Sequence, residues 1–126
     1  MKEQQDYILR LIRQVMQALA AVANLRKAEK PEQALVELHE AYRSLLDVEP
    51  DVLPLIGDEV LIEVTADKGQ LEPLALLLWE EGRIRTDQRQ LLLAERLKRR
   101  SRALLYKAFL DGQVLTEEAQ AIVNVG

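Results

Sequence analysis

The sequence predicts an all-α protein: two antiparallel helical hairpins joined by a short helical connector and followed by a small C-terminal helix. Three observations carry this. Leucine and alanine dominate while glycine totals only 5 and proline 4, so few positions punctuate the chain. Apolar residues recur at steps of three and four over long stretches. Aromatic residues make up only 4% of a chain that is 48% hydrophobic, so the core is built from aliphatic side chains. At 126 residues the chain is read as one domain spanning 1–126, large enough to bury a core.

Residues 3–28 form the first expected helix. Leu11, Val15, Ala18, Val22 and Leu25 alternate steps of four and three, and Ile8, Ile12 and Leu19 widen the stripe. An apolar arc of about 200°, at ~100° per residue, can touch two neighbours. Arg10, Arg13, Gln14 and Gln17 interrupt the apolar run, so this segment is not expected to span a bilayer or serve as a signal peptide. The reading is a soluble cytoplasmic protein with no membrane association.

Pro31 suits a first helical position, and a second helix is expected over 31–47 with Ala34, Leu38, Ala41, Tyr42 and Leu45 on one face. The short turn at Glu29-Lys30 makes the first two helices antiparallel neighbours. Val60 to Thr65 is rich in β-branched residues and reads as a possible strand. Asp58 as N-cap, Glu59 in a first turn and Gly69 as a stop favour a short helix at 58–67 instead. A lone strand would also lack a pairing partner.

A fourth helix is expected over 71–83. Its run Leu74 to Trp79 is apolar all round, which places it centrally, and Gly82 lies near its end. Thr86 or Asp87 is the expected cap of a fifth helix reaching Leu110, with Leu93, Leu97, Leu104, Leu105 and Phe109 inward. Asp111-Gly112 stops it, and Thr116 followed by Glu117 and Glu118 opens the terminal helix.

Ala34, Leu38 and Ala41 match the small–bulky–small spacing in the second helix of a tetratricopeptide repeat, and this hairpin resembles that unit. Pro50 comes about one turn late, and Ala18 and Val22 stand where the repeat carries tryptophan and glycine. In the second hairpin Gly82 and Ala94 fit, while Asp87 replaces a small alanine. Over residues 6 to 110 the chain also resembles an uncharacterised bacterial family of small helical proteins. The likeness lies in Asp6 to Ile12, in Gly69 to Pro73, and in the Leu-rich sequence ending in Glu80-Glu81-Gly82. That resemblance implies a helical fold and no established activity.

Little in the sequence suggests catalysis, and no enzyme is expected. Cysteine is absent, which removes thiolate metal sites and a cysteine nucleophile. His39, the only histidine, has no metal-ligand spacing around it and reads as a boundary residue of the second helix. Ser44 and Ser101 lie inside helices without a nucleophile-elbow context, and there is no glycine-rich phosphate loop. Asp58, Glu59, Glu63, Glu80 and Glu81 read as solvated faces. Neither cofactor nor metal is called for.

Charge is more informative. Residues 29–82 carry a net of −11 and residues 83–107 a net of +7, within a chain of −4 overall. Arg85, Arg89, Arg96, Arg100 and Lys107 would share an arc of about 60° on one helix at ~100° per residue. Three readings compete for this stripe: pairing inside the chain, pairing with an acidic protein surface or another subunit, and contact with phosphates. An acidic pI near 5.1 and the lack of interleaved aromatics apart from Tyr106 make nucleic acid the less expected partner. The expected function is a non-catalytic protein-interaction or assembly module. The alternative is a small nucleic-acid-associated protein using the basic stripe of residues 85–107. Two hairpins are fewer than the ~3 repeats of a self-sufficient solenoid. A homodimer through the first helix is therefore expected.

Overall fold

The computed structural model describes residues 2–65 and 69–124. They form six α-helices and no strand: α1 (Lys2–Lys27), α2 (Pro31–Leu46), α3 (Asp58–Thr65), α4 (Leu71–Asp87), α5 (Leu91–Leu110) and α6 (Glu117–Asn124). A 3-10 turn over Leu53–Leu55 lies between α2 and α3. The all-α class is as expected, and Val60 to Thr65 is helical; the expected end of that helix, 66–67, lies outside the described residues. The most extensive contacts run between α1 and α2 and between α4 and α5, which fits two hairpins.

Both hairpin turns are built alike. Glu29 and Arg89 take left-handed backbone angles, φ 61° and 63°. In each turn the next amide reaches back five residues, Lys30 N to Leu25 O at 2.9 Å and Gln90 N to Arg85 O at 2.8 Å. These are Schellman closures with a non-glycine residue where glycine is favoured. They correct the boundary of the second hairpin. Thr86 Oγ1 donates to Gly82 O at 2.9 Å inside α4, so it does not cap α5, and α4 runs on to Asp87. At the far end Thr116 does cap α6: Ala119 N donates to Thr116 Oγ1 at 3.2 Å. Thr116 Oγ1 in turn donates to Glu72 Oε1 at 2.6 Å, tying α6 to the first turn of α4.

Helix α4 is central, as its apolar run implies: Leu71, Leu74, Ala75, Leu76, Leu77 and Leu78 are all buried. The wide arc of α1 meets both α2 and α4, with Val15 and Val22 fully buried. By length and composition alone, Gln5–Lys27 is long and apolar enough to cross a membrane. This corrects the expectation that its polar residues break the segment up too finely. Those residues, Arg10, Arg13, Gln14 and Gln17, lie exposed on the helix.

The inward face of α5 also differs from expectation. Leu104 and Leu105 are buried and Leu97 is partly buried, but Leu93 and Phe109 are exposed. Small residues set the face instead: Ala94, Ser101 and Ala108, seven apart, are all buried. Ser101 Oγ donates to Ala75 O at 2.6 Å, and a Cβ on Gly82 would lie 2.7 Å from Lys98 Cγ and 3.3 Å from Ala94 O. Gly82 is thus a point of close approach between the two helices, inside α4 rather than at its end.

Glu80 and Glu81, read from sequence as solvated, are buried and bonded. Glu80 Oε1 accepts from Arg26 Nε of α1 at 3.0 Å. Glu81 Oε1 accepts from the Tyr42 hydroxyl of α2 at 2.9 Å, and its Oε2 from Arg85 Nε at 3.2 Å. Burial, and then the neighbouring Glu81 carboxylate, hold the Tyr42 hydroxyl well above its ordinary value of 10.0. In the unfolded chain this phenol ionises near 10, whereas in the fold it keeps its proton beyond that. Its contribution to stability is therefore complete below pH 10 and is lost as pH rises above it. Tyr42→Phe is expected to cost about 1–3 kcal/mol in urea unfolding at neutral pH, because a hydrogen bond to a charged acceptor is lost. The wild-type advantage should shrink above pH 10; a constant difference would contradict the assignment.

Candidate functional site

The segment after α2 cannot continue as helix. Asp47 turns left-handed at φ 56°, and Pro50 and Pro54 follow. The chain crosses toward α5 as an irregular connector around the 3-10 turn, then enters α3 at Asp58. Between this connector and the second hairpin lies a cleft of about 930 Å³. The connector contributes Leu53, Pro54 and Ile56, and the helices contribute Leu78 of α4 and Leu97 and Ala103 of α5. His39 of α2 lines it too, half-buried as expected, its ring 6.5 Å from that of Tyr42.

Arginines edge the cleft: Arg85 from α4, and Arg96, Arg99 and Arg100 from α5. Asp51 and Asp58 stand among its lining from the connector and the start of α3. Arg100 fastens the connector. Its Nε donates to Asp58 Oδ1 at 2.6 Å and its Nη1 to Leu53 O at 3.1 Å, while Nη2 donates to Ile56 O. One guanidinium thus satisfies two backbone carbonyls of an irregular segment and one carboxylate. Asp58 opens α3 with its carboxylate spent on Arg100, so it is not the cap the sequence suggested.

The five cations singled out from sequence do not form one helical stripe. Arg85 belongs to α4 and Arg89 to the turn, so only Arg96, Arg100 and Lys107 lie on α5. Three of the five are held within the chain. Arg85 bonds Glu81 and also donates to Gln88 Oε1 at 3.3 Å and Gln90 Oε1 at 3.2 Å. Arg100 holds the connector, and Lys107 Nζ lies 3.4 Å from Asp111 Oδ1. Among the described residues, Arg89 and Arg96 make no side-chain hydrogen bond or ion pair. Sequence reasoning missed Arg99, which is three residues from Arg96 on the same helix. Its contact with Glu95 is long, 3.9 Å, at an exposed position.

Chemically the cleft pairs an aliphatic lining with fixed and free guanidiniums. No group of three His, Asp or Glu among the described residues is placed to hold a metal ion. Such a lining suits recognition of an apolar, anionic group. Arg100→Ala is expected to leave both hairpins folded while amides of residues 52–61 exchange at least about tenfold faster with solvent, as sub-global opening allows. Unchanged protection in hydrogen exchange would refute the fastening role. No protein-family model, curated protein or solved structure matches this chain.

Proposed function

We propose that this chain is a non-catalytic protein-interaction module whose cleft takes an acidic, leucine-bearing segment of a partner protein. The cleft itself carries the reading: an aliphatic lining edged by Arg96, which has no partner among the described residues, and Arg99, which is only loosely paired. An apolar surface offers affinity through burial, and an uncompensated guanidinium selects a carboxylate for orientation. The nucleic-acid alternative has less support. Arg85, Arg100 and Lys107 are engaged within the chain, leaving fewer cations free for phosphates than a continuous stripe would offer. Selection from a displayed peptide library should enrich acidic, leucine-containing sequences on the wild type. On an Arg96→Glu, Arg99→Glu double variant it should enrich basic ones. Identical pools from both proteins would sink the proposal.

The module also self-associates in this reading, through the outer face of α1. Leu9 and Met16, seven residues apart on one face, remain exposed there although the helix packs on α2 and α4. Light scattering at micromolar concentration should give twice the 14.4 kDa chain mass, falling to one chain in a Leu9→Glu, Met16→Glu variant. A wild-type mass of one chain rules the dimer out.

A further inference from the structure

The side of α5 that faces away from α4 has an order of its own. Leu92, Arg96, Arg99, Ala103, Tyr106 and Leu110 are all exposed, and they follow one another at steps of four, three, four, three and four. At ~100° per residue they fall within about 80° of arc, directly opposite the buried Ala94, Ser101 and Ala108. This is the spacing with which one helix presents a seam to another. The apolar members are well out of the core: Leu92 is 80% exposed, Leu110 60% and Tyr106 54%. Phe109, about 60° beyond the Tyr106 edge of this arc at ~100° per residue, is 58% exposed. A soluble helix normally fills such positions with charged residues, and a row of this kind marks an interaction surface.

The two central positions specify what covers it. Arg96 has no partner among the described residues, and Arg99 only the long contact to Glu95. A second copy of α5 laid on this face is disfavoured, because the helix carries six cations and one acid, Glu95. Juxtaposing two such helices brings like charges together. Phosphates would answer the arginines but leave Leu92 and Leu110 in water. A helix of a different protein, with leucine-type residues at its ends and carboxylates at two adjacent core positions, answers both features.

We infer that the outer face of α5 is a helix-docking seam for an acidic amphipathic helix of a partner protein, with Arg96 and Arg99 meeting two carboxylates on successive seam positions. The inference rests on the interaction-module reading and deepens it. Arg96, Arg99 and Ala103 line the cleft as well, while Leu92, Tyr106 and Leu110 extend the surface beyond it. That difference separates the two ideas experimentally.

The probe is a synthetic three-heptad peptide, fluorescently labelled, with leucine at its seam positions and glutamate at the two central ones. A control carries lysine at those two. Anisotropy titration of the full chain should show the glutamate peptide binding at least about tenfold more tightly than the lysine peptide, as close charge pairs at interfaces allow. Arg96→Glu with Arg99→Glu should invert that preference. Leu92→Glu with Leu110→Glu should weaken the glutamate peptide at least about tenfold; these positions are exposed, and circular dichroism of each variant should match the wild type. Glutamate-peptide binding that Arg96→Glu abolishes but the leucine variant leaves intact overturns the seam and keeps the cleft. Failure of both peptides to bind also overturns the seam, while the library selection decides the cleft independently. A wild-type dimer that the leucine variant dissociates would assign the face to a second copy. Binding of a single-stranded RNA homopolymer that the arginine variant abolishes would assign it to phosphates. Either result overturns the proposal.

Discussion

Two consecutive carboxylates on the central helix determine how the two hairpins meet. Adjacent helical residues point about 100° apart, so Glu80 and Glu81 face different neighbours. Glu80 receives Arg26 of α1, and Glu81 receives Tyr42 of α2. Both carboxylates are buried, where an unpaired charge would cost several kcal/mol, on the order of 3–5 if one partner is lost. A rotation of α4 large enough to free one of them would also misplace the other. The aliphatic core of leucines tolerates small sliding motions; this pair of bonds does not, and it selects one register of hairpin against hairpin.

The same carboxylate links the core to the cleft. Glu81 bonds Tyr42 on one oxygen and Arg85 on the other, and Arg85 continues to Gln88 and Gln90 at the turn into α5. The α4 side of the cleft is therefore continuous with the most constrained part of the interior. On the connector side Arg100 of α5 ties the irregular segment down with three bonds. One wall is set by packing, and the other is fastened by the Arg100 guanidinium. The close approach at Gly82 keeps α5 near enough for both to act together.

How much of this could be read from sequence depends on how local its causes are. Helix existence was legible because it follows from three- and four-residue steps, and Pro31 and Thr116 mark starts through their own backbone chemistry. The inward face of α5 was misread because the large residues Leu93 and Phe109 outweighed the small Ala94, Ser101 and Ala108. Close packing favours the small ones, and only the neighbouring helix reveals that. The roles of Glu80, Glu81 and Asp58 were invisible for a different reason: their partners lie 54, 39 and 42 residues away. Periodicity carries no information about pairings at such separations. The turn at Arg89 gave no signal either, since a left-handed arginine lacks the glycine that usually announces one.

The twin turns at Glu29 and Arg89 have a consequence for how this chain reaches its fold. Each hairpin closes through bonds spanning five residues, formed without help from the rest of the molecule. Contacts within α1–α2 and within α4–α5 are correspondingly short in sequence, and proteins rich in such contacts fold fast. What is left for the slower search is the meeting of two preformed units. The bonds that define that meeting, through Glu80 and Glu81, join residues 54 and 39 positions apart, which no hairpin turn brings together.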